Sequence, residues 1–285
     1  MELKAIRTLT LNMEDFDAEK TFLCGQCFRW RHVQDAFIGV VNRSVIKIHK
    51  DDVNSHEVKV TLYGADLSDD YIQNYFDMRR NYQEIASVLS AKDEHLAKAM
   101  AYGSGIRILN QDPFETLISF IISSNNNIPK IKMTLEALCE KFGKCIGMVE
   151  QQLWYAFPEV EDLCHVPLEA LNVKAIGYRS KAVKLTCEAI VEENLDLSMP
   201  FKLSYESAQK WLMHFYGVGE KVADCVLLFA YKHDEAFPVD TWVKKVLGQL
   251  YDTHKNHSHF IREYFTAYAG IAQQYLFYYM RNQKG

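Results

Sequence analysis

The feature that most constrains this chain is a change in hydrophobic period along it. Between Leu3 and Leu11 apolar and polar residues alternate, and strand-like runs return at Phe37–Val41, Val45–His49 and Val58–Tyr63. A period of two belongs to strands with one buried face. Asn42, Arg43 and Ser44, between the second and third runs, read as a hairpin turn. A helix is expected near Asp69–Arg79, and from about Glu94 the period becomes that of helices and stays so. Asp112 before Pro113 is an N-cap with proline at the first helical position, opening a helix over Phe114–Ile122. Amphipathic helices are expected over Ile128–Phe142, Ser180–Glu193 and Ser204–Phe215. Strands first and helices after predict an α+β fold, a small N-terminal antiparallel twisted sheet packed on a larger helical body. Gly103, Ser104 and Gly105 mark the expected seam, with a sheet domain over 1–105 and a helical domain over 106–285.

Composition narrows the class. A hydrophobic share of 48% with 24% charged residues is that of an ordinary soluble globule. The net charge of −5 argues against a general nucleic-acid binder, so any DNA contact has to come from a local basic face. No apolar run is long enough to span a membrane, and the N-terminus does not read as a signal or transit peptide. Seven scattered cysteines, an odd number, suit reduced thiols inside a cell. The expected location is therefore intracellular, the cytoplasm or nucleoid in a bacterium.

Chemistry concentrates between Trp211 and Val246. Gly217 and Gly219 form a Gly-x-Gly turn that lets the backbone turn tightly and opens a helix over about Val218–Tyr231. Bare amides at such a helix N-terminus bind an anion well. Lys221 lies in the first turn of that helix, where the macrodipole disfavours a cation. Asp240 follows Pro238 and Val239 at an N-cap position. A residue placed against its local preference is a candidate for function.

GVGEKVADC (Gly217–Cys225) followed by PVDTWV (Pro238–Val243) resembles the helix-hairpin-helix and Gly/Pro-Asp signature of base-excision DNA glycosylases. GQCFRW (Gly25–Trp30), QDPFETLISFIISSNNN (Gln111–Asn127), GYR (Gly177–Arg179) and YAGIAQQYLF (Tyr268–Phe277) narrow the resemblance to the 8-oxoguanine DNA glycosylase family. The resemblance implies the same α+β fold and excision of 8-oxoguanine from double-stranded DNA with associated lyase activity. Lys221 would attack the sugar C1′ and form a Schiff base, and β-elimination of the 3′ phosphate would follow. A lysine amine is a good covalent nucleophile when desolvation or nearby cations hold its pKa down. Asp240 would stabilise positive charge on the sugar. The plainer readings are a solvated first-turn lysine and an ordinary N-cap.

A base must leave the stack to be cut, so a pocket and a plug are needed. By the same resemblance Phe277 and Cys225 would sandwich the base, Gln273 would bond its Watson–Crick edge, and the Gly25 carbonyl would accept from N7–H, which guanine lacks. Asn125 would plug the gap, Tyr178 wedge the stack, and Arg179 offer its donor fork to the orphaned cytosine. Core packing is the competing account of Phe277 and Cys225.

Three positions depart from the family pattern. Lys130 stands where an Arg is usual, which bears on reading of the opposite base. Trp242 replaces a phosphate-binding His, so Thr241, Lys244 or Lys245 would have to supply that contact. Tyr216 replaces a Pro in the hairpin.

No cofactor is expected to be required. The carbonyls of Met213, Phe215 and Val218 could hold a structural cation (potassium, sodium, calcium or magnesium) between hairpin and phosphate. An iron–sulfur loop is excluded, because no cysteine follows Cys225, and Cys24 and Cys27 read as structural thiols. The chain is expected to act as a monomer. The competing functions are a glycosylase for another lesion, such as an alkylated base, and a non-catalytic DNA-binding module.

Overall fold

The computed structural model describes residues 2–49, 57–253, 257–266 and 268–283. Strands β1 (Ala5–Asn12), β2 (Arg31–Val33), β3 (Ala36–Val41), β4 (Ser44–His49) and β5 (Glu57–Gly64) form an antiparallel sheet in the order β1-β5-β4-β3-β2. The four alternating runs are all strands of it. The strand β2 escaped notice because three residues cannot display a period. In the β3–β4 hairpin Val41 pairs directly with Ser44, and Asn42 and Arg43 have φ of 43° and 63°. Two positive-φ residues make the turn whose twist matches that of the strands.

One face of the sheet closes over an aromatic core. Trp30 stacks on Phe22 at 3.8 Å between ring centroids, with Phe37 and Phe76 beside them. Gly39 in β3 makes this possible, since a Cβ there would lie 2.4 Å from the Trp30 ring. The other face is covered by an element that periodicity did not reveal. A hairpin of β6 (Cys145–Val149) and β7 (Gln152–Tyr155) interrupts the helical part and packs Val149 and Trp154 on Val33, Ile38, Val40 and Val45. The helical period thus does not persist unbroken from Glu94. Strands of four and five residues, joined with an irregular register, carry too little alternation to be seen.

The helical body matches the pattern closely. Asp112 caps the Pro113–Ser123 helix, and Ile128–Phe142 has the expected bounds. Arg179–Glu192, Tyr205–Leu212 and Glu220–Ala230 begin and end within three residues of expectation, and Asp240 caps Thr241–Leu250. The helix near Asp69 is shorter than expected, ending at Tyr75. The two cores interleave along the chain. Ile85, Leu89, Leu96 and Met100 lie before the glycine seam yet pack in the helical core, as do Cys24 and Phe28. Asp17 donates its backbone N–H to the Gly105 carbonyl at 2.8 Å, so this segment is a close approach between the parts. The consequence for function is that residues near 25 are built into the helical body.

Candidate active site

The starts of the Glu220–Ala230 and Thr241–Leu250 helices face the corner between Pro113–Ser123 and Ile128–Phe142 across a cleft of about 740 Å³. The end of the Ala269–Asn282 helix forms another wall. Charged residues lining the cleft are Lys130, Lys221, Lys244 and Arg281, against one acid, Asp240. A local basic face therefore exists on a chain whose net charge is −5. Field lines focus in such a cleft and attract a polyanion.

Lys221 is half-buried in the first turn of its helix, two residues after the cap residue Gly219. Its Nζ lies 3.5 Å from Ser123 Oγ and 5.3 Å from the Phe120 ring centre. Among the described residues it forms no salt bridge. Asp240 accepts the Val243 N–H at 2.8 Å through one carboxylate oxygen, so its side chain is a helix cap as well as a cleft wall.

Behind the cleft, Lys221 and Asp240 also line a small cavity of about 50 Å³ with Gly25, Cys225, Gln273 and Phe277. All four residues expected around the base thus meet beside both expected catalytic groups. They come from the loop leading into β2, the lysine's helix and the C-terminal helix. The cavity opens towards the cleft, and the two share Gly25, Phe120, Lys221, Asp240 and Phe277 as lining. Among these shared walls Phe277 is half-buried.

Burial pushes the Cys225 thiol up to about 11, against the opposite pull of Lys221, and so it stays protonated near neutral pH. Gln273 is 4% exposed, and its side-chain oxygen is buried with no hydrogen-bond partner. An unmet buried acceptor costs about 1–3 kcal/mol. A donor-bearing ligand edge would remove that cost.

Asn125 sits exposed at the corner between two helices with φ of 49°. Tyr178 is 68% exposed, while Arg179 beside it is buried. Arg179 is the residue expected to offer its donor fork to the orphaned cytosine. Here the guanidinium donates to the Ser124 carbonyl at 2.8 and 2.7 Å and to the Asn125 carbonyl at 2.8 Å. It braces the corner that carries Asn125, because the carbonyls of two successive loop residues converge on one buried cation. Lys130 is exposed on the cleft.

In the hairpin only Gly217 requires glycine conformationally, with φ of 80°. Gly219 has ordinary extended backbone at φ −100°, and a Cβ there would meet nothing within 4 Å. The expectation that both glycines serve the turn is corrected: Gly219 leaves open space at a helix N-terminus. Phe215 accepts the Val218 N–H at 3.1 Å, while Met213 and Tyr216 are exposed. Thr241, Trp242 and Lys244 line the cleft, and Lys245 lies 4.9 Å from the Trp242 ring centre.

Sequence reasoning missed Phe120 and Ser123, which touch the lysine, and Arg281 on the rim. Arg281 was within reach of the pattern: Gln273, Phe277 and Arg281 recur every four residues on one helix face. Cys24 and Cys27 are buried thiols, each directed at a backbone carbonyl.

Residues 8–117 match the family model described as 8-oxoguanine DNA glycosylase, N-terminal domain. Residues 118–267 match that of the HhH-GPD superfamily base excision DNA repair protein. An N-glycosylase/DNA lyase of Saccharomyces cerevisiae is 29% identical over 92% of this chain and 75% of its own length. The Clostridium acetobutylicum 8-oxoguanine glycosylase/lyase, solved with duplex DNA carrying cytosine opposite 8-oxoguanine, superposes with a TM-score of 0.90. It is 36% identical and covers 100% of this chain and 99% of that one. A 3-methyladenine DNA glycosylase from Archaeoglobus fulgidus shares the fold at TM-score 0.76 over 97% and 99% of the two chains, with 19% identity.

Proposed function

The chain belongs to the 8-oxoguanine DNA glycosylase family and is a bifunctional N-glycosylase and DNA lyase acting on duplex DNA, and we propose that Lys221 and Asp240 carry its chemistry. The Lys221 amine attacks C1′ of the lesion nucleotide as the C1′–N9 bond breaks, and the base leaves with that electron pair. Opening of the sugar ring gives a C1′=Nζ iminium. Loss of a C2′ proton then expels the 3′ phosphate by β-elimination. Asp240 stands by as a carboxylate against the positive charge that builds on the sugar. The observation that supports this most is the convergence of Lys221, Asp240, Gly25, Cys225, Gln273 and Phe277 on one small cavity.

The flipped base would lie between Phe277 and Cys225, with Gln273 on its Watson–Crick edge and its N7–H on the Gly25 carbonyl. The unmet acceptor of Gln273 supports that role. Asn125 and Tyr178 would occupy the space the base leaves, and Arg179, which braces that corner, would offer donors to the orphaned cytosine. Lys130 faces the opposite strand. Gly217, Gly219, Thr241, Lys244 and Lys245 would receive phosphates. The carbonyls of Met213, Phe215 and Val218 would hold a cation when DNA docks. The enzyme would work as a monomer inside the cell, in the cytoplasm or nucleoid if bacterial.

Borohydride reduction traps the iminium as a stable adduct, so trapping on a duplex with one 8-oxoguanine tests the assignment. Lys221→Gln is expected to bind that duplex and give no adduct. Trapping at the wild-type level would show that another amine is the nucleophile.

A further inference from the structure

The proposed lesion-reading group is a backbone carbonyl, which no side-chain chemistry can orient directly. Gly25 has φ of +91° and no Cβ, so local sterics leave the direction of its carbonyl loosely determined. A hydrogen bond weakens steeply below about 120° at the donor, so a modest swing of that peptide would forfeit the contact. What holds it must come from outside the loop.

Three glutamines surround it. Gln274, 3% exposed, donates through Nε2 to the carbonyl of Cys24 at 2.9 Å. Gln111 donates through Nε2 to the carbonyl of Gln26 at 2.8 Å. The peptide planes before and after the Gly25 carbonyl are therefore each pinned. Gln26 itself, fully buried, donates through Nε2 to the Thr21 and Arg107 carbonyls at 2.9 and 2.7 Å and accepts the Leu109 N–H at 2.9 Å.

The two outer clamps also link the loop to the rest of the site. Gln274 is the neighbour of Gln273 on the helix that carries Phe277. Gln111 donates its own backbone N–H to the Phe229 carbonyl at 2.9 Å, on the helix that carries Lys221.

We propose that Gln274 and Gln111 are positioning residues that set the direction of the Gly25 carbonyl and thereby the preference for a base bearing N7–H. The inference rests on the reading of Gly25 as the N7–H acceptor. Gln111 does not line the cavity, and Gln274, which does, commits its amide N–H to the Cys24 carbonyl and is not expected to bond the base.

The test compares wild type and Gln274→Met, which keeps length and apolar bulk but cannot donate. Single-turnover rates are measured on duplexes holding 8-oxoguanine, its 7-deaza counterpart with carbon at position 7, or a preformed abasic site. Wild type should cut 8-oxoguanine faster than the 7-deaza base. Equal rates in wild type would remove Gly25 as the acceptor, and with it the premise. Gln274→Met should cut 8-oxoguanine roughly tenfold more slowly, the scale of one well-made hydrogen bond. Its 7-deaza and abasic-site rates should stay within about twofold of wild type on that same scale. Retention of the full wild-type preference would overturn the inference. So would an equal loss on all three duplexes, which marks a merely structural role. Gln111→Met, acting on the other peptide plane, should give the same pattern, and it keeps the test decisive if Gln274→Met does not fold.

Discussion

Asp224 offers a quantitative test of how the catalytic helix is held. It lies three residues after Lys221, and its Oδ1 accepts from Tyr205 Oη at 2.8 Å and from Gln209 Nε2 at 2.6 Å. These bonds tie the two helices of the hairpin together. Burial pushes the carboxyl from its ordinary 3.8 up to about 6, although both hydrogen bonds pull it down. At 1.36 kcal/mol per pH unit, a rise of that size is worth about 3 kcal/mol. The folded chain holds this proton more tightly than the unfolded chain does. Stability from this group is therefore full below pH 3.8 and is lost as pH rises towards 6. Asparagine cannot ionise, and its oxygen can keep both accepted bonds. Urea unfolding of wild type and Asp224→Asn between pH 3.5 and 7, at fixed ionic strength, isolates this one titration as a difference. Any fixed cost of burying the amide shifts that difference equally at every pH. The variant is expected to gain about 3 kcal/mol relative to wild type between the acid and neutral ends. A pH-independent difference would refute the reasoning, because the carboxyl would then ionise as readily in the fold as in water.

Asp240→Asn should keep the cap on Val243 N–H and lower base release by at least tenfold in single turnover, whereas Asp240→Ala should also lose about 1 kcal/mol of stability. An unchanged release rate in Asp240→Asn would remove the carboxylate from the chemistry. Phe277→Ala should lose base stacking worth about 1–3 kcal/mol, weakening lesion binding more than undamaged-DNA binding; equal losses would mean Phe277 only fills the core. Lys130 is a point charge where an Arg fork would read two acceptors, a contact worth about 1–3 kcal/mol of discrimination. The wild type is therefore expected to cut 8-oxoguanine opposite all four bases, the other three within about one to two orders of magnitude of cytosine. Four duplexes at fixed salt decide it, and strict dependence on cytosine would show that Lys130 costs no discrimination.

The sequence alone determined what depends on local rules. Strand alternation, helical period and the caps Asp112 and Asp240 are properties of neighbours along the chain, and they specified the α+β layout. The linear motifs likewise named Lys221, Asp240 and the four residues around the base, because their order and spacing are themselves linear. The hairpin β6–β7 lay below that threshold, its strands being too short to declare a period and defined only by the sheet they cover. Tertiary structure decided the rest. Which loop carbonyls Arg179 meets was set by the fold, and Gly219 looked like a turn residue until its extended backbone and open surroundings were seen. The Gln274–Cys24 contact joins residues 250 apart in sequence. A buried polar group must find a partner wherever folding brings one, and no local pattern can say which partner that will be.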